Sequence, residues 1–189
     1  MAPISKAAVL ILLVSVYRAN AQDNSTLELE KGTNFFLPKS CADPQLKALP
    51  SGVRKIQPQP GFGQAFEVYC DQKYDKGGWT SIAGGSKFWL GLPKLNELTY
   101  SQKFELVVLM SDWEGISAYA RYSHILVAGA EEDYKLNSLG TYSGTAGDSL
   151  SWGVGMKWST LDKENDISPT ENCAVDYKGA WWYTGCHYK

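Results

Sequence analysis

The chain has 189 residues, of which 44% are hydrophobic, and it carries 18 basic and 20 acidic side chains. This length is enough for one domain with a substantial core and too short for two of ordinary size. The basic residues form no cluster, which argues against a nucleic-acid partner.

The amino terminus has the layout of a cleavable secretory signal. Lys6 precedes an apolar run from Ala7 to Tyr17, and the small residues Ala19-Asn20-Ala21 follow. A membrane anchor is the alternative, but a spanning helix needs about 20 apolar residues. We therefore predict that residues 1–21 are removed, that the product is secreted without a membrane span, and that its formal charge is −4 once Lys6 and Arg18 are lost.

Residues 22–39 form a polar segment that we interpret as a tail. It contains Asn24-Ser25-Thr26, an N-glycosylation sequon, so Asn24 is the predicted glycan site.

Four cysteines follow, at positions 41, 70, 173 and 186. An even count in an exported chain indicates a disulfide framework. Sequence permits three pairings, and we favour Cys41 with Cys70 and Cys173 with Cys186 because each pair closes a short local loop. A zinc site is the alternative, but the cysteines lack the close spacing of zinc ligands.

The rest of the chain predicts short strands and ordered loops. Alternating or apolar runs bounded by glycine and proline predict strands at 52–56, 65–70, 80–82, 104–110 and 118–127, and 92–100 suits a short helix. The second half is rich in glycine and aromatic residues, so its loops are expected to be anchored by large rings: Trp152, Trp158, Trp181 and Trp182.

Several motifs, in order, resemble the fibrinogen C-terminal (fibrinogen-related) domain family, which includes ficolins, tachylectins and angiopoietins. The resemblance covers the chain from about Ser40 to its end. The motifs are Val68-Tyr69-Cys70-Asp71, Gly77-Gly78-Trp79-Thr80, Phe88-Trp89-Leu90-Gly91-Leu92, Tyr142 to Leu150, and Asn172-Cys173-Ala174 through Gly179-Ala180-Trp181-Trp182-Tyr183 to Cys186-His187.

The resemblance implies an α+β fold over residues 40–189: a disulfide hairpin at the amino end, a central antiparallel sheet with short helices, and a loop-rich carboxyl-terminal binding region. The cysteine separations also resemble those of the family's two disulfides. Two departures are evident. The segment between Thr80 and Phe88 is some two dozen residues shorter than in the family, and the chain stops at Lys189, before a strand of the central sheet. We therefore expect an incomplete domain with an open sheet edge.

The acidic loop Asp162-Lys163-Glu164-Asn165-Asp166 resembles the family's calcium loop. Carried over by position, the carboxylates of Glu164 and Asp166 would bind Ca²⁺ together with the carbonyls of Ser168 and of Thr170 or Glu171. Hard oxygen donors of this kind suit calcium. The alternative is a solvated acidic turn.

In ficolin-like members of the family, the loop between the last two cysteines binds acetylated sugars beside a cis peptide. Carried over, this implies a site formed by Tyr177, Gly185, Cys186 and His187, with the cis bond between Gly185 and Cys186. Aromatic rings with polar handles suit sugar recognition. For His187, packing against Trp182 is the alternative.

We do not interpret the chain as an enzyme. Gly147-Asp148-Ser149 superficially resembles a serine nucleophile motif, but Leu150-Ser151 follow where glycines would be expected, and a glycine-rich structural loop is the simpler interpretation.

The sequence leaves three functions open. The first is a secreted lectin of innate immunity that binds acetylated glycans, with calcium assisting and several copies on one assembly providing avidity. The second is a ligand that binds a protein receptor or the extracellular matrix, as angiopoietin-like relatives do. The third is an inactive shortened isoform.

Overall fold

The computed structural model describes residues 9–16, 36–61, 63–84 and 88–186. The predicted glycan site Asn24, most of the predicted tail and His187 lie outside these residues.

Within the described residues, nine strands form one antiparallel sheet. Seven of them follow the order β2-β3-β4-β1-β6-β7-β8, while β5 pairs with β4 and β9 pairs with β7. The strands are β1 (Val9–Val16), β2 (Gly52–Ile56), β3 (Phe66–Asp71), β4 (Trp79–Gly84), β5 (Phe88–Trp89), β6 (Phe104–Ser111), β7 (Ser117–Val127), β8 (Leu136–Leu139) and β9 (Tyr142–Gly144). The helices are α1 (Pro44–Lys47), α2 (Leu92–Ser101) and α3 (Cys173–Asp176), and the 3₁₀ turns are Tyr74–Lys76, Ala130–Glu132 and Ser151–Gly153.

The amino-terminal hairpin is built as the sequence predicts. Strands β2 and β3 pair in register from Gly52 opposite Cys70 to Ile56 opposite Phe66. The side chain of Ile56 is fully buried. The Cys41–Cys70 disulfide then fastens the segment before α1 to the end of β3, which confirms the predicted pairing.

Strand β6 is the centre of the core. From Phe104 to Val108 every residue is buried, so both faces of this strand are covered. One covering element is α2, which buries Leu95 and Leu98. The helix is fixed to the end of β7 because the side-chain amide of Asn96 donates to the carbonyl of Val127 (2.8 Å) and the hydroxyl of Thr99 accepts from the backbone amide of Val127 (3.2 Å).

The expected open edge in the central sheet is absent from the described residues. Strand β1 lies between β4 and β6 and pairs antiparallel with both. This strand belongs to the apolar run that we predict to be a secretory signal. Cleavage after Ala21 remains a prediction, but the backbone position of a central strand is filled here by the chain's own amino-terminal segment.

Candidate functional site

The carboxyl-terminal disulfide loop is a small, firmly held unit. Cys173 and Cys186 are bonded, which confirms the second predicted disulfide. Helix α3 begins at Cys173, and the side chain of Asn172 caps it by accepting from the amide of Val175 (3.0 Å). Within the loop, the Tyr183 hydroxyl donates to the carbonyl of Gly179 (2.9 Å), and burial raises the pKa of this phenol.

The acidic loop packs directly on the disulfide loop. Asp166 accepts the amide of Ser168 at Oδ1 (2.8 Å) and the amide of Cys173 at Oδ2 (2.9 Å). Glu164 accepts from the side-chain amide of Asn172 (3.1 Å). Both predicted calcium carboxylates therefore take part in holding the loop against α3.

The oxygen atoms of this loop are of the type that calcium binds. Each oxygen of Asp166 accepts one hydrogen bond and keeps a lone pair, and Glu164 is exposed. With the carbonyls of Ser168 and Thr170, these carboxylates would hold an ion whose charge tightens the loop. The described residues contain no group of three or more His, Cys, Asp or Glu side chains placed to hold a metal, so the site would depend on backbone oxygens.

Lys163 of this loop and Lys157, which precedes it, both bind Asp133 in the body of the domain. Asp133 accepts from Lys163 and from Lys157, the latter at 3.0 Å. These hydrogen bonds lower the pKa of Asp133. The residue stands just after the 3₁₀ turn Ala130–Glu132, in a left-handed conformation with φ 53°.

Four tryptophans meet beside the disulfide loop and form what we call the tryptophan cluster: Trp89, Trp158, Trp181 and Trp182. Trp158 and Trp182 meet edge to face with ring centroids 4.6 Å apart, and Trp89 stacks on Trp158 at 6.3 Å. The indole N–H of Trp182 donates to the carbonyl of Tyr134 (2.8 Å). These contacts make the cluster a rigid wall.

A cavity of about 270 Å³ lies between the tryptophan cluster, the sheet and α2. Every residue that lines it is apolar; Ile82 of β4, Leu106 of β6 and Leu95 of α2 face the four tryptophans across it. The side chain of Trp89 is 54% exposed, so this ring stands at the mouth of the cavity.

The predicted sugar-binding residues are only partly brought together. Tyr177 is half exposed and lies just after α3, and Gly185 and Cys186 close the disulfide loop. The described residues contain no cis peptide bond, so the expected cis bond between Gly185 and Cys186 is trans here. Neither Tyr177 nor Gly185 lines the apolar cavity.

The Gly147-Asp148-Ser149 segment has a bracing role. Oδ1 of Asp148 accepts from the buried Tyr122 hydroxyl (2.9 Å) and from the amide of Ser151 (3.1 Å). Burial alone would raise the pKa of Asp148, but these hydrogen bonds outweigh it and the pKa is lowered. Burial, together with the bond to Asp148, raises the pKa of the Tyr122 phenol. This pair holds the glycine-rich loop on the core.

Comparison with known proteins identifies the family. The model of the domain described as fibrinogen beta and gamma chains, C-terminal globular domain, matches residues 81–189. The chain belongs to the fibrinogen C-terminal domain family. Tenascin of Mus musculus is 38% identical over 179 residues, covering 82% of this chain and 8% of tenascin. Angiopoietin-related protein 2 of Homo sapiens is 35% identical over 158 residues, covering 72% of this chain and 31% of that protein.

A solved structure of the same family supports the fold. The fibrinogen-like globe domain of human ANGPTL2 superposes with a TM-score of 0.72 at 32% identity, over 79% of this chain and 78% of that one. The chain is therefore an α+β fibrinogen C-terminal domain, as the motifs imply. It spans under a third of the length of the curated relatives above. Among its described helices, none has the length and apolarity needed to cross a bilayer.

Sequence reasoning missed the cavity. It placed Trp89 within a family motif and Trp158 among the loop anchors, but nothing in their spacing indicates that they meet. The usable signal was the aromatic density around residues 152–182, which predicted ring packing without its shape. The expectation was wrong for Trp152, which is largely exposed and does not join the tryptophan cluster.

Proposed function

We propose that this fibrinogen C-terminal domain is an extracellular binding module whose partner is a protein, either a receptor or a matrix component. The observation that carries the proposal is the cavity of about 270 Å³ with an entirely apolar lining. Its partner would insert one apolar or aromatic side chain beside Trp89.

The lining favours a protein side chain over a sugar. Sugar sites need several convergent hydrogen-bonding groups to orient the ring hydroxyls, and the side chains around this cavity supply almost none. Protein interfaces, by contrast, concentrate binding energy where an apolar anchor fills a dry pocket, and tryptophan is enriched at such points. Trp89 at the mouth and Trp158 behind it meet that description.

The disulfides and the relatives support an extracellular setting. Two disulfides with no free cysteine among the described residues suit an oxidising compartment. The relatives include a tenascin and an angiopoietin-related protein, and the angiopoietin-like branch is the one whose resemblance implies protein receptors. An enzymatic role is not proposed.

The test is a binding screen against recombinant receptor ectodomains and matrix proteins, run beside a glycan array. Trp89→Ala removes the ring at the cavity mouth and should weaken binding at least tenfold, in line with hot-spot losses above about 1.4 kcal/mol. Trp152→Ala is the matched control, because this ring is 71% exposed and does not line the cavity. Equal losses for both variants, or none for Trp89→Ala, would contradict the proposal.

A second candidate is the acetylated-glycan lectin with calcium assistance, which the half-exposed ring of Tyr177 beside the disulfide favours. It predicts glycan-array binding that free N-acetylglucosamine and a chelator abolish and that Tyr177→Ala weakens. Binding to an ectodomain that sugar leaves unchanged would exclude it in favour of the protein partner.

A further inference from the structure

We propose that an open groove between the end of α2 and the β8–β9 connection binds a small oxyanion, a carboxylate or a sulfate, through Lys103 and His124. The groove has a volume of about 640 Å³. None of its residues lines the tryptophan cavity. The inference therefore does not depend on the partner proposed for that cavity.

The groove is polar. It is formed by the last turn of α2 with the residues that follow it, by β7 and by the β8–β9 connection. Its side chains offer hydroxyls, an amide, an ammonium group and an imidazole, and they include Tyr100, Gln102, Lys103, Ser123, His124 and Thr141. No carboxylate lies among the described residues that line it. A negatively charged guest would therefore meet hydrogen-bond donors and no like charge.

The floor of the groove is formed before any ligand binds, because the β8–β9 connection is fastened to β7. The backbone amide of Gly140 donates to the carbonyl of His124 (2.8 Å). Ser123 and Thr141 are joined twice: the amide of Ser123 donates to the carbonyl of Thr141 (3.1 Å), and the amide of Thr141 donates to the Ser123 hydroxyl (3.0 Å). Gly140 permits this close approach, since a Cβ there would lie 2.6 Å from the backbone nitrogen of His124. A ligand would have little of this wall to order.

The charge in the groove is positive. Lys103 is exposed and takes part in none of the ion pairs between described residues. His124 is a second group that can become cationic, and Tyr100 carries the only other titratable group among the described lining residues. Burial, and then the charge of Lys103, lowers the pKa of His124. An anion would offset the repulsion between these two residues.

His124 also has an unused hydrogen-bonding atom. Its Nδ1 is buried and has no hydrogen-bond partner among the described residues. Buried polar atoms are nearly always hydrogen-bonded, and an exception indicates a place for a water molecule or an ion. Because Lys103 shares the groove with this ring, an anion suits the place better than a cation.

Anion binding and protonation of His124 support each other. Protonation gives the ring a second N–H donor, and hydrogen bonds from a cation to an oxyanion are strengthened by charge. The bound anion therefore raises the pKa of His124, and by linkage the anion binds more tightly as the pH falls. One or two such bonds provide only weak binding, so we expect a millimolar dissociation constant.

The test follows His124 by NMR in the purified protein. The chain contains two histidines, so His187→Gln leaves the ring protons of His124 as the only histidine signals. The probes are sodium sulfate, glucuronate and N-acetylglycine, which present an inorganic ion, a sugar acid and a peptide carboxyl end. Glucose and N-acetylglycinamide are the neutral counterparts, and sodium chloride keeps the ionic strength constant.

We expect at least one of the three anions to shift the His124 signals saturably. The same anion should raise the pKa of His124 by about one unit, which corresponds to a roughly tenfold preference for the protonated ring. Tighter binding of glucuronate than of N-acetylglycine would identify an acidic sugar as the ligand, and the reverse order would identify a peptide terminus.

Two lysine variants show whether the groove is responsible. Lys103→Met removes the ammonium group of the groove and should weaken binding at least about tenfold. Lys94→Met is the matched control: it removes the same charge from α2, where Lys94 lies over the ring of Phe66 and outside the groove, and it should leave the affinity nearly unchanged. The proposal is overturned if no anion gives a saturable shift, if the neutral counterparts shift the signals equally, or if both lysine variants weaken binding to the same extent.

Discussion

Arg121 of β7 holds both carboxylate oxygens of Glu105, a buried residue of the neighbouring strand β6. Its Nε donates to Oε1 and its Nη2 to Oε2, the latter at 3.1 Å, while its Nη1 donates to Asp75 at 2.8 Å. The guanidinium also lies over the ring of Trp79, 5.7 Å from its centroid. The bond to Glu105 raises the pKa of Arg121 further above its usual range, so the guanidinium stays charged. One side chain thereby joins three elements.

Arg121→Met should lower the free energy of unfolding by about 2–3 kcal/mol, because it leaves the Glu105 carboxylate buried without its partner. The expected loss is below that of a fully buried pair, since the Arg121 side chain is 31% exposed. Urea unfolding measures it. The double variant Arg121→Met/Glu105→Gln should recover part of the loss; a single variant as stable as the parent would contradict this role.

Much of this architecture follows from local sequence patterns. The alternation in Gly52–Ile56 and the largely apolar run from Phe104 to Met110 predict β2 and β6, because the side chains of a strand are buried at every second residue or on both faces. Strands β8 and β9 were missed. They are only four and three residues long, and long-range pairing with β7 stabilises them rather than any pattern of their own.

The central position of Val9–Val16 was beyond sequence reasoning for a different reason. The segment was predicted to be a secretory signal. The composition of such an apolar run does not distinguish a segment that enters a membrane from a strand inside a sheet. The tryptophan cavity was missed similarly, because Trp89 and Trp158 are brought together only by the packing of β5 against the loops after β9. Pattern reasoning finds which residues are apolar but not which distant ones meet.

His124 should make the protein less stable as the pH falls. Its Nδ1 is buried with no hydrogen-bond partner among the described residues, and burial, assisted by Lys103, lowers its pKa in the fold. Near and below pH 6.5 the unfolded chain therefore takes up a proton before the folded one. The stability that comes from keeping His124 neutral is fully present above the pKa of His124 in the unfolded chain. It is lost as the pH falls from that value toward the lower pKa of His124 in the fold.

Urea unfolding between pH 5 and 8 measures this effect, whose slope for one proton is at most about 1.4 kcal/mol per pH unit. His124→Gln should flatten the curve between pH 5.5 and 7, whereas His187→Gln serves as the control for the chain's other histidine. If His124→Gln left the pH dependence of the unfolding free energy unchanged, that dependence would come from other groups.

The Cys173–Cys186 disulfide should matter for the site as well as for stability. The loop-entropy relation gives about 3 kcal/mol for its 13-residue separation and about 3.5 kcal/mol for the 29-residue separation of Cys41–Cys70. We expect Cys173→Ser/Cys186→Ser to weaken partner binding and to lower the melting temperature. The matched Cys41→Ser/Cys70→Ser variant should lower the melting temperature by a similar amount but leave binding in place at temperatures where it is folded. If the two double variants bound the partner equally well, the disulfide loop would not be part of the partner site.

Substitutions of Asp166 and of Glu164 should change stability differently with and without calcium, because the two carboxylates make different hydrogen bonds in the metal-free protein. Asp166 accepts two backbone amides, so Asp166→Ala should cost about 1–3 kcal/mol of metal-free stability. Glu164 makes one exposed hydrogen bond, so Glu164→Gln should leave metal-free stability nearly unchanged.

If both carboxylates bind the ion, Ca²⁺ at a hundred times its dissociation constant should stabilise the parent by about 2.7 kcal/mol. Thermal melts with Ca²⁺ and with chelator measure this gain, and Glu164→Gln should lose most of it. A parent protein whose melt Ca²⁺ does not shift would mean that this loop does not bind the ion and would contradict the prediction.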